Sequence, residues 1–535
     1  MKLSIEGIKD KKEWEKAGIK LPSYDVEKVA TATKEAPVWV HFGIGNIFRI
    51  FIGGIADSLL EQGLSDKGIT CVETFDYDVV DKIYTPFDNL VMAVTLKEDG
   101  STDKKVLGSL TEAVKAQSSV DAEWSRLKKI FASPQLQMVS FTITEKGYAL
   151  HDAKGEFFPF IKSDIDNGPD KASSAMAVVA ALLLERFNTC KAPLAVVSMD
   201  NCSHNGEKLR NSVTEMVSEW AKKGFVGEDF VKYVNDENTI SFPWSMIDKI
   251  TPRPADSVAK ALDDAGVEAM APVITSKRTY IAPFVNAEGP QYLVIEDRFP
   301  NGRPQLEKAG VYMTDRDTVN KVERMKVTTC LNPLHTALAV YGCVLGYDLI
   351  ADEMKDKELS ELVRRIGLVE GMPVVTNPGI IDPVKFADEV INVRIPNPFM
   401  PDTPQRIATD TSQKVGIRYG ETIKAYVAKD GSAKSLTAIP LAIAGWCRYL
   451  LGVDDDGAAF ELSPDPMADE LKDQIKGIIW GDPSSYTGQL KNLLSNVNIF
   501  GINLYEAGIG DKVEEIFVEE ISGKGAVRET LKKYL

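Results

Sequence analysis

The sequence predicts an α/β protein in two parts, a parallel-sheet N-terminal domain over residues 1–315 and a mainly α-helical C-terminal domain over residues 316–535. Three observations carry this reading. The chain has 535 residues, more than a single hydrophobic core usually serves. Its first half alternates short β-rich runs with helical stretches, the rhythm of a parallel sheet. From Lys321 onward the pattern changes to long amphipathic stretches, which is helical periodicity.

The elements follow in order. Val38 to Phe42, Ile69 to Glu73, Met138 to Thr142 and Leu194 to Ser198 are short apolar runs bounded by turn residues and are expected to be strands. Ser174 to Arg186 reads as a helix between two of them. In the second half Leu334 to Ile350, Ala438 to Leu451 and Asp465 to Trp480 carry helical spacing. Ile274 to Gly310 holds enough Pro and Gly to be read as irregular, the last part of the first domain and the crossing into the second.

Composition excludes several classes. With 44% hydrophobic and 26% charged residues the chain is an ordinary globular sequence. A formal net charge of −16 lacks the basic face that nucleic-acid binding needs, so any anionic ligand requires a local basic pocket. No run approaches the roughly 20 apolar residues of a membrane span, and the first residues lack an apolar signal core. The six cysteines are far apart without a CxxC pair, which disfavours a disulfide framework or a zinc ribbon. A cytoplasmic protein is expected.

The first candidate site is Gly43-Ile44-Gly45-Asn46, where the strand ending at Phe42 breaks into a helical continuation over Ile47 to Leu60. Glycines there let the backbone approach a pyrophosphate, whose charge meets the N–H groups of the helix start. A plain strand-to-helix turn is the competing reading; the position at the first βα junction favours a dinucleotide. The third glycine of the usual fingerprint would fall at position 48, which is Phe48. Glu73 closes the next strand, where a carboxylate accepts from ribose hydroxyls and repels a 2′-phosphate, favouring NAD over NADP. Asp76 and Asp78 are alternatives for that role.

Three polar clusters sit where apolar patterning stops: Ser198 to Gly206, Lys326 with Asn332 and His335, and Arg394 to Lys414. Singly each has an ordinary explanation in solvated lysine, Asn-Pro turns and structural histidine. Beside a dinucleotide turn they gain weight, since hydride transfer from an alcohol needs a base and donors for the developing oxyanion.

Gly43-Ile44-Gly45 with Arg49, Thr144 to Tyr148, Asp200-Asn201 with Asn205-Gly206, Phe242 to Pro252, Ile295 to Asp297, Gly302 to Pro304, the Lys326 cluster and Arg394 to Lys414 occur in this order along the chain. In these motifs the sequence resembles the long-chain mannitol dehydrogenase family, which includes fructuronate and tagaturonate reductases. The resemblance implies a Rossmann-type N-terminal domain, a helical C-terminal domain and an active site in the cleft between them. It implies Lys326 as general base, its ordinary pKa lowered by its surroundings, with Asn201 and Asn332 holding the oxyanion. His335, Arg406, Lys414, Arg394 and Asn205 would bind substrate. Gly43, Ile44, Gly45, Asn46, Arg49, Glu73 and Asp200 would serve NAD, with no metal ion, and the protein would be a monomer or small homo-oligomer.

Two features depart from the family pattern. Lys326 and Asn332 are six positions apart, one more than usual; on a regular helix that residue turns the lysine by about 100° relative to its partner. A π-bulge near Thr328 to Cys330 is expected to absorb it. The usual Val-Asp-Arg of the signature reads Ile247-Asp248-Lys249. Arg394, Arg406, Lys414 and Arg418 together read as a carboxylate clamp, so the expected reaction is that of D-mannonate with D-fructuronate. D-mannitol with D-fructose is the alternative, and a nucleotide-binding regulator without catalysis is the reading from another class.

Overall fold

A computed structural model describes all 535 residues. They form two compact units, Met1–Asn320 without the turn residues Glu98–Gly100, and Lys321–Leu535.

Unit 1 is built on a six-stranded sheet. Its strands are β1 (Trp39–Phe42), β2 (Ile69–Glu73), β3 (Leu110–Lys115), β4 (Met138–Phe141), β5 (Leu194–Ser198) and β6 (Ile240–Ser241). They lie in the order β3-β2-β1-β4-β5-β6 with every neighbouring pair parallel, the Rossmann order, which reverses between β1 and β4. Every residue of β1, β2, β4 and β5 is buried, because helices cover both faces of a parallel sheet; this is why these strands read as continuous apolar runs.

Helix α1 (Gly53–Glu61) follows β1, α2 (Ala175–Thr189) precedes β5 and α3 (Asn205–Lys222) follows it. Ser174 caps α2 through its side chain. The buried Arg186 near its end donates to the carbonyls of Phe131, Ser133, Leu136, Ala192 and Pro193 at 2.7–3.2 Å. It thereby satisfies main-chain acceptors just ahead of both β4 and β5.

The stretch expected to be irregular carries strands instead. Phe284–Glu288 pairs in parallel with Val91–Leu96, which pairs antiparallel with Thr102–Leu107, and Tyr292–Glu296 pairs antiparallel with Ser245–Asp248. Its prolines and glycines fall in the connections. The N-terminal segment also belongs to this unit: Ile19–Lys20 adds to the Thr102–Leu107 strand and Trp14 is fully buried.

Helix α4 (Arg316–Met325) leads into unit 2, whose core helices α5 (Asn332–Leu345) and α6 (Ala438–Tyr449) are buried along nearly their whole length. Tyr341 of α5 donates to Leu441 O of α6 at 2.7 Å. Two expected helices end early. The first stops at Leu345 because Gly346 turns left-handed, φ +76°, and of Asp465 to Trp480 only Ala468–Gln474 is helical, ending at Ile475 ahead of a turn that holds Gly477. No helix is long and apolar enough to cross a membrane.

Candidate active site

Gly43 leaves β1 at φ +87°, and a Cβ on it would lie 2.2 Å from Thr142 O at the end of β4. Only glycine can bring β1 this close to β4 at the switch point. Gly45 has nothing within 4 Å of where a Cβ would sit, so its main chain faces open space at the start of the helix that begins at Asn46. An adjacent side-chain oxygen, Asn46 Oδ1, is buried without a partner. An open backbone, a helix N-terminus and a spare polar atom fit a dinucleotide pyrophosphate.

These two glycines make opposite predictions. Gly43→Ala is expected to destabilise the protein by about 3 kcal/mol through overlap and a left-handed alanine. Gly45→Ala should leave the melting temperature near wild type and weaken NADH binding. Thermal melts with NADH titrations check both.

Phe48, where a third glycine was expected, is accommodated by the π turn Phe48–Ile52. Its ring stacks on His41 of β1 at 4.0 Å, while the His41 ring nitrogens bond Ser140 Oγ and Thr142 Oγ1 of the β4 side at 2.6 and 2.8 Å. Burial holds His41 well below the ordinary histidine range, so it is a neutral packing element between β1, β4 and the first helix.

Glu73 ends β2 with one carboxylate oxygen accepting the N–H groups of Thr74, Phe75 and Asp76 at 2.9–3.2 Å. Burial raises its pKa, opposed by those N–H groups and that of Ile44 in the glycine turn. The Ile44 N–H sets this carboxylate beside the glycine turn. The alternatives Asp76 and Asp78 are engaged with the 275–279 loop.

Three expected ligand contacts are reassigned. Arg49 is 1% exposed, with its two amino groups donating to Ala282 O and Pro283 O at 2.8 Å; it ties the first helix to that segment. Asp200 accepts from the N–H groups of Ile143 and Thr144, both at 2.9 Å, and from Tyr148 OH at 2.5 Å, so it clamps the ends of β4 and β5. Asn205, expected to bind substrate, donates to Asp200 O and Ser245 Oγ at 3.0 and 2.9 Å and accepts from Ser245 N–H at 3.0 Å. Its amide is spent on packing. Asn201, in contrast, is exposed after β5.

In unit 2 a π turn lies ahead of Asn332, at the place expected for it. Lys326–Cys330 is a π turn closed by Leu331 N–H on Lys326 O at 3.1 Å, and α5 starts directly after it. A π turn adds one residue without shifting the register beyond it. Lys326 itself is 3% exposed and Asn332 half-buried.

His335, one turn into α5, is surrounded by charge. Burial pushes its pKa down to about 4; Asp402 opposes this, and Arg394, Arg418 and Arg406 lower it further. At neutral pH the imidazole is thus uncharged, with one donor and one acceptor nitrogen. Arg418 donates to Thr336 Oγ1 and Arg406 to Asp402 Oδ1. Lys414 donates to Thr409 O, and burial, Arg418 and Arg406 lower its pKa against Asp410 and Asp465. Arg394 and Arg418 each sit in a π turn, Val390–Arg394 and Gly416–Gly420. The second is locked in place, because a Cβ on Gly420 would lie 1.8 Å from Phe500 O.

The depressed His335 pKa carries a pH signature. The unfolded chain binds this proton more readily, so the stability contribution is present above about pH 6.5 and is lost as pH falls toward about 4. His335→Gln should therefore narrow the gap in melting temperature between neutral and acid solution.

Residues not anticipated from sequence are Asp402, which pairs with Arg406 near His335, and Tyr148 and Ser245, which fix Asp200 and Asn205. Tyr148 and Ser245 lie within motifs already noted, but Asp402 in its proline-rich run carries no local signal.

A Rossmann sheet with an open glycine turn, joined to a helical unit carrying lysine, asparagine and histidine among arginines, defines a two-domain dehydrogenase. Residues 37–308 match the model of the mannitol dehydrogenase Rossmann domain and residues 318–517 that of the mannitol dehydrogenase C-terminal domain. The chain belongs to the mannitol dehydrogenase family. It is 54% identical to a D-mannonate oxidoreductase of Thermotoga maritima over 536 aligned residues, covering 100% of this chain and 99% of that protein. Among solved structures, substrate-free D-sorbitol dehydrogenase superposes with a TM-score of 0.75 at 26% identity, covering 94% of this chain and 97% of that one. Pseudomonas fluorescens mannitol 2-dehydrogenase in ternary complex with NAD and D-mannitol does so with a TM-score of 0.69 at 25% identity, covering 100% and 99%.

Proposed function

We propose that this chain is an NAD-dependent oxidoreductase interconverting D-mannonate and D-fructuronate by hydride transfer at a secondary alcohol. The observation that carries the reading is the convergence of Arg394, Arg406 and Arg418 on His335 in a protein of net charge −16. Such a concentration of cations suits a sugar carboxylate. The full-length relative named for D-mannonate supports it.

In this reading Lys326 moves the hydroxyl proton, and Asn332 and Asn201 donate to the reacting oxygen. His335 orients hydroxyls as a neutral imidazole, and Arg418 binds the carboxylate end, with Arg394, Arg406 and Lys414 completing the basic cluster around it. Bound NAD supplies the hydride acceptor; Gly43, Ile44, Gly45 and Asn46 would hold its pyrophosphate and Glu73 its ribose. The reading assigns no role to a metal ion, so turnover should survive dialysis against a chelator. We place the enzyme in the cytoplasm, as a monomer or small homo-oligomer.

NADH consumption with D-fructuronate and with D-fructose, side by side, tests the reading. Faster turnover of D-fructuronate supports it. Preference for D-fructose would favour the neutral polyol pair, the second reading, for which Arg406 and Lys414 already engaging Asp402 and Thr409 speak. NADH binding without any turnover would leave a nucleotide-binding regulator.

A further inference from the structure

The turn that carries Asn201 enters α3 through a strained residue. His204, the last residue before the helix, holds φ +52°, a left-handed conformation that is uncommon outside glycine and persists where the surroundings fix it. The next two residues anchor the helix start. Asn205 is tied to Asp200 and Ser245, and a Cβ on Gly206 would lie 2.6 Å from Trp244 Cδ1 and 2.8 Å from Pro243 O. Between this anchor and the Asp200 clamp at the end of β5 stand Asn201 to His204, outside any helix or strand, with Asn201, Ser203 and His204 exposed.

The His204 side chain is held by a ring. Its imidazole packs on the Trp244 indole, with centroids 4.5 Å apart and planes at 31°; Glu207 Oε2 lies 3.6 Å from its Nδ1, an exposed pair of little weight. Trp244 is itself fixed on both sides of its main chain. Its N–H donates to Glu296 Oε2 at 3.0 Å, and the Glu296 N–H donates to Trp244 O at 2.9 Å. Arg316 donates from Nε to the same Glu296 oxygen at 3.0 Å, and its guanidinium carbon lies 5.4 Å from the indole centroid. The indole that His204 rests on is therefore a rigid support within unit 1.

We propose that His204 and Trp244 are positioning residues for Asn201: their ring contact holds the turn after β5 in one conformation, and with it the amide that addresses the reacting oxygen. This rests on the reading of Asn201 as a donor to that oxygen. A donor contributes to the rate when it is already aimed at the place where charge develops. A turn of four residues without regular hydrogen bonding would otherwise lose conformational entropy each time the amide is brought to bear. The clamp at one end, the left-handed residue at the other and the ring contact beneath it remove that freedom before substrate arrives.

Steady-state kinetics of wild type, His204→Asn, Asn201→Ala and the double variant, with the better ketone of D-fructuronate and D-fructose, test the role. Asparagine tolerates the left-handed backbone and deletes the ring, so His204→Asn should melt as wild type does. It is expected to lower kcat about tenfold and leave NADH affinity within about twofold, because a donor is misaimed rather than removed. Asn201→Ala should cost about a hundredfold, and the double variant no more than Asn201→Ala alone, since a turn without the amide has nothing to aim. Trp244→Phe, which keeps a ring against His204, should retain most of kcat, and Trp244→Leu should match His204→Asn. Losses that multiply in the double variant, or a His204→Asn protein with wild-type kcat, would overturn the positioning role. Asn201→Ala with wild-type kcat, or a wild type that turns over neither ketone, would overturn the reading of Asn201 on which this inference rests.

Discussion

Lys326→Ala is expected to lower kcat/KM for D-fructuronate reduction by about a thousandfold, within the range that a positioned acid–base group contributes. NADH affinity should stay within about twofold, because the glycine turn and Glu73 belong to unit 1 and the lysine to unit 2. Reduction of a ketone needs a proton delivered to the oxygen as hydride reaches the carbon, and oxidation of the alcohol needs that proton removed. One amine serves both directions with opposite requirements. Reduction uses the ammonium form and should fall with rising pH; oxidation uses the free amine and should rise. Loss of both slopes in Lys326→Ala, with partial rescue by a small primary amine, identifies the proton carrier. A variant within tenfold of wild type in both directions would assign the proton to another group.

The candidate base was legible as a motif, and the six-residue gap from Lys326 to Asn332 pointed to the π turn found at Lys326–Cys330, closed by Leu331 N–H; the burial of Lys326, 3% exposed, depends on packing that local propensity does not encode. Main-chain geometry explains the other difficulties too. Leu110–Lys115 was passed over as a strand because it is the half-exposed sheet edge, with Thr, Glu and Lys among its residues. The helix expected to reach Ile350 broke where Gly346 adopts positive φ.

The site shows a related limit. Polar residues clustered at strand ends either face a ligand or tie the strands together, and sequence gives both the same appearance. Asp200 and Asn205 proved to be ties, with every strong hydrogen-bonding position of Asn205 used inside unit 1. Glu73 accepts main-chain N–H groups at the end of β2 and beside the glycine turn. The fold class, by contrast, was plain from buried strands that read as unbroken apolar runs, since both faces of a parallel sheet are covered.

Arg418→Met is expected to lower kcat/KM for D-fructuronate by a hundredfold or more, about the loss on truncating one partner of a buried, hydrogen-bonded charge pair, while D-fructose turnover stays within a few-fold. The cations around His335 are not equivalent. Arg406 is exposed and already paired with Asp402, and Lys414 is engaged with Thr409. Arg418 loses most of its hydration, burial lowering its pKa to about 10, so it remains charged at neutral pH. Thr336 accepts one hydrogen bond from a guanidinium that carries five N–H groups. Such a fork is matched by a carboxylate, which accepts two parallel bonds and supplies the missing negative charge; a hydroxymethyl group supplies neither. Its backbone cannot drift away, since Gly416 and Gly420 press against the main chain of Ile499 and Phe500. Arg418→Lys should fall between, keeping the charge and losing the fork. Equal losses on D-fructuronate and D-fructose would show instead that Arg418 acts by holding Thr336 and the start of α5, and would move the carboxylate to Arg394.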